Sequence, residues 1–162
     1  RLHGQGVFAA QSLQHGEPIL CIDDSQIVSD AHPLPDESER RYCNYLAGGK
    51  VVLMPPPERY INHSCAPNAF IKTVDGTRYL ITLKRIYIGQ EILVDYTLNS
   101  RGDTIWQCEC GSARGRLTIH SDFFRLPTWL QLEYLPILEP WFIQENQAAI
   151  TSLLQHALHD TT

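Results

Sequence analysis

Nine consecutive residues, Tyr60-Ile61-Asn62-His63-Ser64-Cys65-Ala66-Pro67-Asn68, gather amide, imidazole, hydroxyl and thiol groups into one short stretch. Cys65 and His63 invite a reading as a nucleophile and its base. Side chains two residues apart are rarely placed for proton transfer, and catalytic pairs normally come from distant parts of a chain. A turn with satisfied polar groups is the plainer reading. Three further patches carry chemistry-bearing residues. Gly4-Gln5-Gly6 precedes Val7-Phe8, and a Gly-X-Gly lets backbone approach a ligand closely. It lacks the third glycine of a dinucleotide fingerprint and the lysine of a phosphate loop, so alone it is a turn. Gly89-Gln90-Glu91-Ile92-Leu93-Val94-Asp95-Tyr96 reads as a turn and a strand ending in a polar pair. Trp106-Gln107-Cys108-Glu109-Cys110-Gly111 contains a Cys-X-Cys that can offer two thiolates to zinc.

Taken together, in this order and spacing, the four patches resemble the SET-domain protein lysine methyltransferases. The asparagine-histidine-serine-cysteine-X-proline-asparagine string at 62–68 is the most specific element, and the resemblance covers roughly residues 1–115. It implies a mainly β SET-domain fold of the β-clip type: small curved sheets with a knot-like C-terminal threading, followed here by an α-helical tail. The implied activity is transfer of methyl groups from S-adenosylmethionine to the side-chain amine of lysine in a histone or other basic protein. The alternative is a SET-like module that binds cofactor or peptide without turnover. By the same resemblance Gly4, Gln5, Gly6, Tyr60, Asn62, His63 and Tyr96 hold the cofactor, and Tyr96 is also the catalytic residue. Trp106 either covers the adenine or belongs to the core. A free tyrosine has a pKa near ~10 and is a poor base at neutral pH, so Tyr96 is expected to align the amine, with proton loss going to water.

Two departures from the family pattern matter. Cys65, Cys108 and Cys110 match metal-binding cysteines of the family, but Gly111-Ser112-Ala113-Arg114-Gly115-Arg116 brings no fourth cysteine. Three thiolates do not complete a tetrahedral structural site. His120 is the one substitute considered, and zinc is therefore not the expectation. Val94 stands two residues before Tyr96, where some family members carry an aromatic that limits the methylation state. A smaller residue leaves room, which Tyr45 or Tyr79 could fill again.

The elements that must position these groups are short. Val7–Ala10, Ile19–Ile22, Val51–Leu53 and Ile92–Val94 read as strands, and Asp75-Gly76 between apolar runs signals a hairpin. Asp36 is placed to cap a surface helix reaching toward Tyr45, with Asp36, Glu37 and Glu39 either meeting a basic peptide or facing solvent. Beyond residue 120, Trp129, Leu132 and Leu135, then Ile150, Leu153, Leu154, Ala157 and Leu158, recur at helical spacing. Pro127, Pro136 and Pro140 divide that region into at least two helices. The expected organisation is a SET domain over 1–100 with a variable insert at about 30–55, a post-SET-like segment over 101–117, and a helical tail over 118–162. The tail either packs on the body, the preferred reading, or mediates homo-oligomer contact.

The chain has 162 residues, 43% of them hydrophobic, and a net charge of −5. A length of this order is enough for a core without disulfides. The charge argues against nucleic-acid binding, which calls for a basic stripe, and suits a lysine-bearing protein partner. No apolar run approaches the ~20 residues of a membrane span. Five cysteines are an odd number, which fits a reducing, intracellular setting more than a disulfide framework; nucleus and cytoplasm are not distinguished.

Overall fold

A computed structural model describes residues 4–159; residues 1–3 and 160–162, the ends of the expected SET and tail segments, lie outside it. The strands in chain order are β1 Pro18–Cys21, β2 Ile27–Val28, β3 Cys43–Tyr45, β4 Val51–Leu53, β5 Asn62–His63, β6 Ala69–Val74, β7 Thr77–Thr82, β8 Leu93–Val94, β9 Arg101–Gln107 and β10 Thr118–Asp122. The helices α1 Thr128–Tyr134, α2 Pro140–Glu145 and α3 Gln147–His159 follow. The architecture is therefore a set of small, mostly antiparallel sheets with C-terminal helices. The sheets run β1-β7-β6, β2-β4-β3 and β9-β10, with β5 and β8 forming a two-stranded parallel pair.

The hairpin joining β6 to β7 turns where the sequence requires it. Asp75 and Gly76 both take positive φ, 49° and 78°, as the primed turns of two-residue hairpins demand. Along β7, Leu80 and Thr82 are buried while Tyr79 and Ile81 are only partly so, the period of two expected of a strand with one core face. Leu80 joins Ala9, Leu13, Ile22, Ile61, Ala69, Ile86 and Ile92 in the first core cluster.

Two expected elements differ. Val7–Ala10 forms a single bridge, Phe8 to Glu91, and not a strand; its backbone meets only the turn at 89–92, through Ala9 N–H to Gln90 and Ile92 N–H to Val7. The helix after Asp36 is a 3-10 segment over Glu37–Tyr42, capped as expected by the Asp36 carboxylate accepting from Ser38 N–H at 2.7 Å. It ends because Cys43–Tyr45 leaves to pair with β4.

The tail forms three helices around a second core of Phe123, Leu126, Leu130, Tyr134, Leu138, Phe142 and Ile150. Its large aromatics mostly turn inward, Tyr134 and Phe142 being 1% exposed. Trp129 instead lies on the surface beneath the Arg114 guanidinium. The tail packs on the body: Leu98 joins the second core, and the Lys72 ammonium donates to the carbonyls of Leu138 and Pro136. No described helix is long and apolar enough to cross a membrane.

Candidate active site

The parallel β5–β8 pair brings together two motifs some thirty residues apart in sequence. Asn62 lies opposite Leu93 and His63 opposite Val94. Asn68 fastens the pair. Its carboxamide accepts from Leu93 N–H and donates to the Glu91 carbonyl, both at 2.8 Å, while its own N–H donates to Leu93 C=O. Such side-chain bonds replace ladder hydrogen bonds that two-residue strands cannot supply. They fix where β8 ends, and so where Tyr96 begins.

Asn62 reaches the opposite way. Its Nδ2 donates to Gln5 C=O at 2.9 Å and to Glu91 Oε1 at 2.7 Å. The Gly4-Gln5-Gly6 segment is thereby held beside the asparagine-histidine motif. Gly4 has φ +72°, and a Cβ on Gly6 would collide with Glu91 Oε1 and come within 3.2 Å of the Phe8 ring. A side chain at position 6 would displace the Glu91 carboxylate, the mobile end of that residue, from the space it occupies. Glu91 has no assigned role at the level of sequence; its only signal there is its place in the turn motif.

Tyr96 turns its hydroxyl inward to donate to Ile61 C=O at 2.7 Å, leaving part of its ring exposed. Burial of that hydroxyl, and then the charge of Glu91, pushes its pKa up to about 12, so it is a neutral phenol at physiological pH. His63, Tyr96 and Trp106 form a cluster of rings with centroids 5.3–6.4 Å apart. The cluster borders a cavity of about 230 Å³ lined by Asn62, His63, Tyr96, Trp106 and residues 107–110. A groove of about 510 Å³ is the second space at this site. Tyr96 and Trp106 line both. Tyr60 sits in the 3-10 turn Glu58–Tyr60 just before the motif and lines neither.

The groove answers two sequence expectations. Val94 and Tyr45 line it; Tyr79, on β7, does not. The acids of the insert do not face it: Glu37 pairs with Arg40, Glu39 pairs with Arg59 at 2.6 Å, and it is Arg40, Arg41 and Arg59 that line the groove.

Beneath Trp106, His63, Cys65, Cys108 and Cys110 bring one donor atom each within 4.8 Å of one another. His63 takes the corner that the missing fourth cysteine leaves open, while His120 lies exposed on β10. Tetrahedral zinc with ordinary bond lengths sets S···S edges of about 3.8 Å and N···S edges of about 3.5 Å. Cys65 Sγ lies 3.7 Å from Cys108 Sγ and 3.5 Å from His63 Nε2, so these two edges match such an ion, and all four donor atoms lie within 4.8 Å of one another. Burial alone would raise the Cys110 thiol, but the N–H groups of Cys65 and Ser112 outweigh it and bring its pKa down to about 6. Burial pushes Cys108 up. Arg116 donates through its backbone N–H and its Nε to Cys65 Sγ at 3.3 and 3.4 Å.

Asp95 joins these parts. It is 2% exposed. Oδ1 accepts from the N–H and hydroxyl of Thr97, and Oδ2 accepts from the Arg116 guanidinium and from the Tyr134 hydroxyl. His63 Nδ1, which accepts from Tyr96 N–H at 3.2 Å, lies 3.7 Å from Asp95 Oδ1.

This arrangement, with the motif spacing that builds it, defines a class: the chain belongs to the SET domain family, which it matches over residues 4–97. Among individual proteins it is 31% identical over 130 residues to the histone-lysine N-methyltransferase trithorax of Drosophila virilis, covering 71% of this chain and 3% of that protein. It is 30% identical over 131 residues to histone-lysine N-methyltransferase 2B of Homo sapiens, covering 71% and 5%. The chain thus spans only a small part of the length of these relatives. A solved Plasmodium falciparum putative histone methyltransferase superposes with a TM-score of 0.45 at 22% identity, over 56% of this chain and 82% of that one.

Proposed function

We propose that the chain is the catalytic domain of an S-adenosylmethionine-dependent protein lysine N-methyltransferase. The observation that carries this is a shared pair of residues: Tyr96 and Trp106 line both the smaller cavity and the larger groove. A group-transfer enzyme with two substrates needs residues common to both binding spaces, where the reacting atoms meet. In this reading the small cavity takes the cofactor. Asn62, His63, Tyr96 and Trp106 line it, and the backbone of Gly4, Gln5 and Gly6 runs alongside. Tyr60 supports the turn. The groove takes the lysine-bearing segment, a histone tail or another basic protein.

S-adenosylmethionine supplies an electrophilic methyl on a sulfonium. The chain's own residues do the rest. A narrow wall of Tyr96, Trp106, Ile61 and Val94 excludes water from the amine and favours its neutral form, since burial penalises an ammonium whose free pKa is ~10.4. Tyr96, held by Ile61 C=O, keeps a hydroxyl oxygen at a fixed place to orient the amine and accept weak C–H contacts. With its pKa raised it takes no proton, and the amine sheds its proton to solvent before it enters this space.

The domain division is 1–100 for SET, with the insert at about 30–55, 101–117 for the post-SET-like segment, and 118–162 for the tail. Knot-like threading of the segment ending in Tyr96 is supported by the parallel β5–β8 pairing. Zinc is assigned to Cys65, Cys108 and Cys110 with His63 Nε2 as fourth ligand, closing residues 107–116 against the cavity. The cysteines are all free thiols, in keeping with a reducing intracellular setting.

The test is incubation with labelled S-adenosylmethionine and mixed histones, followed by mass spectrometry of the labelled protein. Label on a lysine side chain supports the assignment. Cofactor binding without transfer to any protein supports the module without turnover instead.

A further inference from the structure

Three buried polar atoms without a hydrogen-bond partner among the described residues belong to residues lining the same groove: Glu58 Oε2, Arg78 Nε and Glu139 Oε1. Glu139 is the most informative, because it lies in the helical tail, outside residues 4–97 that match the family. It is 2% exposed. Its backbone is fixed by N–H donation to Asn99 Oδ1 at 2.7 Å, and Oε2 accepts from Thr73 N–H at 3.0 Å. Oε1 has neither water access nor a donor. Lys72, on the neighbouring β6, spends its ammonium on the carbonyls of Leu138 and Pro136 instead. A buried carboxylate normally has its charge matched by a cation or by several donors; this one has a single backbone N–H.

The surroundings of Glu139 suit a cation arriving from the groove. Trp141, two residues on, is half-buried and lines the same space, and aromatic faces attract guanidinium and ammonium groups. Glu145 accepts from Gly48 N–H at 2.8 Å, tying the tail to the insert. Of the arginines that line the same groove, Arg40, Arg59 and Arg78 are paired with Glu37, Glu39 and Asp24, and the chain's net charge of −5 favours a basic segment at long range.

We infer that Glu139 and Trp141 form a specificity subsite that takes a basic side chain, arginine above all, flanking the target lysine in the substrate. Arginine fits best because its planar fork can donate to a carboxylate while lying on an aromatic ring. The inference rests on the methyltransferase reading for the identity of the groove's occupant, but its binding consequence can be measured without turnover.

The experiment uses the full chain and fluorescein-labelled peptides containing one lysine, with a single arginine walked through the positions on either side, and a matched set with glutamine in place of arginine. Affinity is read by fluorescence anisotropy and methyl transfer is followed on the same peptides. We expect one position at which arginine improves affinity about tenfold over glutamine in the wild type, the scale of one charge-assisted hydrogen bond. Glu139→Gln should abolish that preference and leave the affinity for arginine-free peptides unchanged. The wild-type comparison of arginine with glutamine peptides does not depend on the variant folding. Absence of a preferred arginine position, absence of binding by any peptide, or a preference that survives Glu139→Gln overturns the subsite. Peptides methylated without arginine preference would remove the subsite and keep the methyltransferase. Arginine-dependent binding without methylation would do the reverse.

Discussion

The Tyr134 hydroxyl, in the helical tail, donates a 3.3 Å hydrogen bond to the buried carboxylate of Asp95, the residue immediately before Tyr96. Asp95 also takes the Arg116 guanidinium. One carboxylate thus ties the segment that presents Tyr96 to two later parts of the chain. Removing only the hydroxyl, by Tyr134→Phe, should cost about 1.5–3 kcal/mol, the usual worth of a hydrogen bond to a charged group. Asp95→Asn leaves Arg116 without its counter-charge and should cost about 3–5 kcal/mol. Urea denaturation of both variants checks the order; equal costs would mean that the ion pair adds nothing.

Gly6 and Glu91 make a second such pair. Gly6→Ala places a methyl where Glu91 Oε1 stands, so Glu91 must shift and Asn62 loses one of its two acceptors, keeping only Gln5 C=O. The site lies at the surface of the first core, so the melting temperature should fall little. Affinity for S-adenosylmethionine, measured by calorimetry, should fall at least about tenfold, the loss expected for one well-oriented polar contact. Unchanged affinity would detach the Gly4–Gly6 segment from the cofactor site.

Tyrosine ionisation gives a pH signature. The Tyr96 pKa is pushed up to about 12, and Tyr134 is also raised, by burial and then by Asp95. The unfolded chain loses these protons near pH ~10. The folded state therefore binds more protons above that pH, and the stability it gains is present below pH ~10 and is lost as pH climbs toward about 12. Urea midpoints measured from neutral to strongly alkaline pH should decline over that window, and less steeply in Tyr134→Phe. A Tyr96 that titrates near neutral pH in ultraviolet difference spectra would contradict the aligning role.

The His63–Cys65–Cys108–Cys110 cluster predicts about one zinc per chain by elemental analysis. Chelation should lower the melting temperature and loosen residues 107–116 in hydrogen exchange. Cys110→Ser should do the same without added chelator. A metal-free protein that is insensitive to chelator would leave the cluster as packed thiols.

Much of this site is legible in the residues. The motifs at 62–68 and 89–96, which the family resemblance joins, meet through a strand pair only two residues long. The hairpin at Asp75-Gly76 and the cap at Asp36 follow from local chemistry. What escaped sequence reading is long-range. Asp95 finds Arg116 and Tyr134 only after the tail has folded back. The insert's acids look available until the 3-10 turn pairs them with arginines. His63 and Cys65 stand out together in the sequence only as a nucleophile and its base; the bend after His63 brings their Nε2 and Sγ to 3.5 Å as two corners of the cluster. Glu139 carried no signal, since its meaning comes wholly from the groove it borders.

The decisive measurement is methyl transfer from labelled S-adenosylmethionine to a lysine-bearing protein, wild type beside Tyr96→Phe, with cofactor affinity recorded for both. The wild type should label lysine. Tyr96→Phe should lose at least about a hundredfold in rate, as removal of an oriented transition-state contact does, while still binding cofactor. Full activity in Tyr96→Phe, or a wild type that neither binds the cofactor nor labels any protein, would contradict the assignment.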